Sequence, residues 1–231
     1  MSTRTTRLAL RSAPALALVI GAALTATGCG DDVANQEPDT CAPYVAEPQS
    51  GHAVNVRLVN ETGADLYLGD PDQSCGAFLP FLLSDAQGHA LTWRAPDCAS
   101  TCALVQSGPV GCPALCQMPS VELVPDGGAY VATWDGTVYT PKAMPEACYD
   151  DPGAAQASCL VHEIAPSGKL AFTASAWTAV TCQDGSGGCT CAPPAGGSCT
   201  VEGIATLAGQ TVAGSAELDA VGNVTVEIVF H

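Results

Sequence analysis

Val54-Asn55-Val56-Arg57-Leu58-Val59-Asn60 near the front of the chain and Asn223-Val224-Thr225-Val226-Glu227-Ile228-Val229-Phe230 at its end are the stretches that decide the fold. In the first, Val54, Val56 and Leu58 fall on one side of an extended backbone, and Asn55 and Arg57 on the other. In the second, Val224, Val226, Ile228 and Phe230 alternate with Thr225, Glu227 and one exception, Val229. Successive side chains of a strand point to opposite faces, so a period of two marks strands with one face buried. After Asn60-Glu61-Thr62-Gly63 the pattern resumes over 64–68. Apolar runs on either side of a polar turn containing glycine predict a β-hairpin here.

Working outward, further strands are expected at 78–84, 90–93, 120–124, 129–134, 160–163, 169–174, 203–207 and 211–217. No run of period 3.6 exceeds about two turns. The 24 Gly and 17 Pro, spread throughout, disfavour long helices. Short strands at close spacing predict an all-β domain, a disulfide-stapled β-sandwich of immunoglobulin-like type. Residues 97–119 and 182–199 interrupt the strands, each with four cysteines, and read as cross-linked insertions. Pro125-Asp126-Gly127-Gly128-Ala129-Tyr130-Val131-Ala132-Thr133-Trp134-Asp135-Gly136 resembles the corner of some bacterial immunoglobulin-like modules, including the BsuPI-type proteinase inhibitor domain. The plainer reading of its residues is that Trp134 fills the core and Asp135-Gly136 makes a turn.

The opening residues give an address. Arg4, Arg7 and Arg11, with no acid among them, lead into the apolar stretch 13–24. That is the plan of a signal peptide. Twelve such residues as helix span about 18 Å, short of the roughly 30 Å hydrocarbon core. Leu24-Thr25-Ala26-Thr27-Gly28-Cys29 resembles the lipobox of bacterial lipoproteins, with Ala26 where leucine is usual. The resemblance implies cleavage after Gly28 and a diacylglyceryl group on the Cys29 thiol. Acyl chains buried at about 0.8 kcal/mol per CH₂ make a stable anchor once there are two or three of them. Cysteine parity agrees: of 13 cysteines, setting Cys29 aside leaves an even number that can pair completely. By the family's sorting rule, Gly30 after the lipidated cysteine implies the outer membrane of a Gram-negative cell.

The expected organisation is therefore a signal peptide over 1–28, a lipidated N-terminus and linker over 29–51, and one β domain over 52–231. The segment 30–51, rich in Asp, Glu, Pro and Gly, has almost no apolar period, and its reach is at most about 75 Å. Cys41 would shorten it by pinning its end to the domain. All 23 acidic residues follow the cleavage site, against only Arg57, Arg94, Lys142 and Lys169. Such a surface repels phosphate backbones and anionic headgroups, which excludes nucleic acid as a partner and limits membrane contact to the anchor.

Catalytic motifs do not assemble. Asp184-Gly185-Ser186-Gly187-Gly188 has the letters of a trypsin-like loop in the wrong order. His162-Glu163 begins like a zinc-protease motif, but residue 166 is Pro. His52, His89, His162 and His231 are the only histidines. Cys98-x₃-Cys102, Cys112-x₃-Cys116 and Cys189-x-Cys191 could gather thiolates around zinc, yet zinc ribbons use C-x₂-C knuckles and an exported chain favours disulfides. Asp70-Pro71-Asp72 and Asp150-Asp151 offer oxygen ligands but do not continue into a calcium loop. No cofactor is implied. The turn at Gly108-Pro109 predicts nested bonds, Cys98 with Cys116 and Cys102 with Cys112. Cys182 and Cys199 are expected to close the neck of a coreless loop, with Cys189 and Cys191 stapling its tip to Cys41 or Cys75. The functional expectation is a lipid-anchored module of the cell envelope, attached to the membrane through Cys29, that binds a protein or glycan partner or serves a structural role. An envelope enzyme with a scattered glycosidase-like carboxylate pair and a proteinase-inhibitor-like module are the alternatives.

Overall fold

β1 (Val54–Asn60) lies between two neighbours that the sequence places far away. It runs antiparallel to β6 (Ala129–Trp134), with Val54 opposite Trp134, and parallel to β12 (Val224–Phe230), from Val54 opposite Val224 to Asn60 opposite Phe230. The computed structural model describes residues 40–46, 48, 53–69, 78–95, 100–108, 120–151, 158–183, 189–219 and 224–231. All of these belong to the unit Asp39–His231. The period of two holds over most of both strands: Val54, Val56, Leu58, Val226, Ile228 and Phe230 are buried and Asn55 and Glu227 face solvent, while Val224, expected on the buried face, is exposed. Arg57 and Glu227 are register partners whose ion pair closes at 2.6 Å on the outer face.

The expected hairpin between 54–60 and 64–68 does not form. β2 (Leu66–Leu68) crosses instead to the large sheet, between β5 (Glu122–Val124) and β9 (Leu170–Cys182). Asn60 explains the crossing. Its side chain is fully buried and its amide donates to the carbonyls of Ala64, at 2.7 Å, and Val124, at 2.8 Å. Its side-chain oxygen accepts from the Thr62 backbone and hydroxyl at 3.0 and 2.8 Å. A buried amide with its bonds satisfied this way ties the end of β1 to a strand of the other sheet, which a two-stranded turn cannot offer.

The large sheet has the order β10 (Cys199–Thr200), β5, β2, β9, β3 (Leu82–Ser84), β4 (Ala90–Leu91), with β11 (Ala205–Leu218) along the other edge of β9. β11 joins the two C-terminal strands read separately as 203–207 and 211–217. A bulge between Ala208 and Thr211 bridges them. Gly209 takes φ 80° there, and a Cβ on it would lie 2.5 Å from Thr178 Oγ1, the atom that accepts the Gln210 N–H at 2.9 Å. Bulges sharpen twist, and this one helps the long ribbon curve over the core. Gly214 serves a second close approach, since a Cβ there would stand 2.7 Å from Ile228 Cγ2 and 3.0 Å from the Val229 carbonyl. The result is mostly β, with four disulfides among the described residues, and curls as a half-barrel rather than a clear immunoglobulin sandwich.

A small third sheet pairs β7 (Thr137–Lys142) with β8 (Cys159–Ile164). β7 lies outside the strands expected from the alternation, although Thr137-Val138-Tyr139-Thr140 is β-branched and aromatic, as strands prefer. The turn before it is the corner anticipated at Trp134. The indole is buried and donates from Nε1 to the Thr137 carbonyl at 2.7 Å, and Asp135 and Gly136 turn the chain. The main core gathers Trp134, Phe81, Phe172, Leu58, Leu170 and Phe230. A satellite cluster forms where α1 (Cys102–Ser107), capped by Thr101, packs near β8 with Val105, Met144, Tyr149 and Val161. Among the described residues no helix is long and apolar enough to cross a membrane.

Candidate functional site

Among the described residues four disulfides are placed: Cys41–Cys148, Cys102–Cys159, Cys182–Cys189 and Cys191–Cys199, with Cα separations of 5.5, 5.0, 5.6 and 6.0 Å. All lie in the range a bridge requires. Two expected pairings are overturned. Cys102 bonds Cys159 rather than Cys112, because Thr101 bridges to Leu160 and Leu160 N–H donates to the Ser100 carbonyl at 2.9 Å, which seats α1 against β8. Cys182 bonds Cys189 rather than Cys199, because Cys199 is drawn away onto β5, opposite Leu123. The segment between them closes as two small loops, and Cys189, Cys191 and Cys199 pack against the cluster of Val121, Leu123 and Val201. The tip therefore has apolar packing of its own, and Cys191 holds Cys199 rather than Cys41 or Cys75. Cys29, the Cys98–Cys116 pair, His52, Asp70, Asp72 and residues 184–188 lie outside the described residues.

With their sulfurs in disulfides, Cys102, Cys189 and Cys191 are not thiolates for a metal. His162 and Glu163 cannot share a ligand either, since neighbours on a strand point to opposite faces. Glu163 pairs with Lys142 across the sheet. Its carboxyl lies below the ordinary value: burial pushes it up, but hydrogen bonds from Lys142 and Thr140 and the lysine's charge outweigh that. His89 and His231 stand at the surface beside Asp85 and Glu61, at 3.0 and 3.6 Å. Among the described residues no three His, Cys, Asp or Glu gather as metal ligands.

His162 has a more organised setting. It stands opposite Tyr139 in the β7–β8 register, and the rings stack at 4.6 Å with 8° between their planes. Its Nε2 lies 2.7 Å from Thr137 Oγ1, and that hydroxyl lies 2.6 Å from Asp135 Oδ1. A carboxylate only accepts, so the Thr137 hydroxyl donates to Asp135 and its oxygen accepts from the imidazole. Thr137 is buried, and its backbone N–H also donates to Asp135 Oδ1 at 3.0 Å. The chain Asp135–Thr137–His162 thus has Nε2 donate and holds the ring in one plane.

This imidazole lines a cleft of about 200 Å³ with Tyr44, Val45, Thr101, Tyr139 and Leu160. Four separate stretches of the sequence build it: the segment after Cys41, the start of α1, β7 and β8. Cys41–Cys148 and Cys102–Cys159 hold them together. A second cleft, of about 290 Å³, opens where β2 and β3 share one edge of β9 without meeting. Leu79, Pro80, Leu82, Thr173, Ser175 and Trp177 line it, and it is mainly apolar. Among the described residues lining either cleft none is Asp or Glu, so a glycosidase-like carboxylate pair has no support there. Thr137, Tyr139 and Tyr44 were not singled out by the sequence. Asp135-x-Thr137 is a legible turn signal, whereas the pairing of Tyr139 with His162 depends on the register of two strands from separate stretches of sequence. No family model, curated protein or solved structure matches the chain.

Proposed function

We propose that the chain is a lipoprotein of the cell envelope, anchored through lipid on Cys29, whose disulfide-stapled β domain works as a binding module. The observation that carries the reading is the set of four disulfides among the described residues. Disulfides persist outside the reducing cytosol, so this set of bridges suits an oxidising exterior. The lipobox-like segment supplies the address, and the outer membrane of a Gram-negative cell is the proposed location. Cys41–Cys148 refines the geometry: with Cys41 pinned, only the stretch from Cys29 to Cys41 is tether. That stretch reaches at most about 40 Å, so the domain stays close to the bilayer.

Replacement Cys29→Ser tests the anchor. Metabolic labelling with palmitate should vanish, and the protein should leave the membrane fraction or keep its leader uncut. Equal labelling of the variant and the native chain would overturn the reading.

A further inference from the structure

We propose that the cleft between the tether end and the β7–β8 sheet binds a single neutral saccharide ring. The proposal rests on the reading of the domain as a binding module and names the ligand of one of its clefts. The wall chemistry selects the class. Tyr44 and Tyr139 offer ring surface, Thr101 and His162 offer polar edges, and no described residue of the lining is Lys, Arg, Asp or Glu. A phosphate or carboxylate would meet no lysine or arginine there and would approach a chain with 23 acids and 7 bases. A cationic ligand would meet no carboxylate within the cleft. A polyhydroxylated ring is neutral, has a C–H-rich face that lies against aromatic carbon, and has hydroxyls that exchange hydrogen bonds with imidazole and tyrosine. At about 200 Å³ the space is below that of drug-sized ligands and suits one ring rather than an oligosaccharide buried along its length.

The cleft is also organised in advance. His162 is held by Thr137 and Asp135 from one side and by the Tyr139 ring from another. The Cys41–Cys148 bond fixes the segment that carries Tyr44. Groups held in place before binding lose little freedom on binding, which matters for a ligand with few atoms. Thr137 is a positioning residue here, acting through His162.

The test is a titration of the full chain, in a sugar-free detergent, with glucose, galactose, mannose and N-acetylglucosamine, followed by NMR of the tyrosine and histidine ring signals. At least one sugar should give saturable shifts of Tyr44, Tyr139 and His162 with a millimolar dissociation constant, leaving the Trp177 indole signal in place. Glucuronate should bind at least several-fold more weakly than the best neutral sugar. Tyr44→Ala, which alters the tether end and not the main core, should weaken binding about tenfold. Thr137→Val should weaken it and shift the His162 tautomer signals, a change that a purely structural role would not produce. Absence of saturable shifts with all four sugars, tighter binding of glucuronate, or unchanged affinity in Tyr44→Ala would overturn the proposal. None of these outcomes depends on whether Cys29 carries lipid, so the anchor and the ligand fail separately.

Discussion

The main core and the satellite cluster around α1 are held together in different ways. Trp134, Phe81, Phe172, Leu58 and Phe230 bury large side chains in a cluster that contains no cysteine among the described residues. The satellite buries Val105, Met144, Tyr149 and Val161, and three of its members are Cys102, Cys148 and Cys159. A strand face that contributes an apolar residue at every second position accumulates enough buried area to hold itself. A short helix, a loop and a two-stranded sheet do not, and two cross-links supply what apolar burial lacks. The lesson is that the bridges cluster where the fold is thin, which is also where the polar cleft lies.

The comparison can be broken most forcefully from the side of the core. Trp134→Ala should cost about 3–5 kcal/mol, the range for emptying a buried aromatic site. It also removes the indole donor to the Thr137 carbonyl, so denaturant melts should show loss of the whole domain and of the His162 setting together. If the variant melted like the native chain, the core would not be the cooperative unit.

Removing Cys102–Cys159 by serine at both positions comes next. Cross-linking residues 57 apart contributes roughly 4 kcal/mol in the chain-entropy model, less any strain. If the satellite opens by itself, hydrogen exchange should accelerate at Val105 and Val161 while Val56, Leu58 and Phe172 keep their protection. Equal acceleration at both sets would mean one cooperative unit and would erase the distinction.

The smallest effect belongs to Glu163 and Lys142 on the sheet beside the cleft. Their side chains are 35% and 45% exposed, so Glu163→Gln should cost no more than about 1 kcal/mol at neutral pH. The folded-state pKa of Glu163 is lowered, so its contribution is fully present above the unfolded carboxylate value, about 4.3, and is lost as pH falls through the lower folded value. Stability curves of the variant and the native chain should therefore converge in acid. A gap that persisted or widened at low pH would assign the effect to packing rather than to charge.

Much of the fold was legible because strand alternation is local. Val54, Val56, Leu58, Val226, Ile228 and Phe230 reveal their buried face within a few residues, and Trp134-Asp135-Gly136 shows its core residue and turn within three. The pairings were not legible. Whether Asn60-Glu61-Thr62-Gly63 makes a hairpin or a crossing depends on Val124, which the Asn60 amide meets across 64 positions of sequence. Cysteine spacing failed for the same reason: Cys102 is nearer in sequence to Cys112, yet the packing of α1 on β8 brings it to Cys159. The candidate site was the least legible part, since Tyr44, Thr101, Tyr139 and His162 come from four separate stretches. The sequence by itself determined the β class, the buried faces and the expectation of an export address, all of which follow from short-range pattern. Only the tertiary structure decided strand partners, disulfide partners and the cleft, because each is a contact between residues whose local chemistry is satisfied equally well by several distant mates.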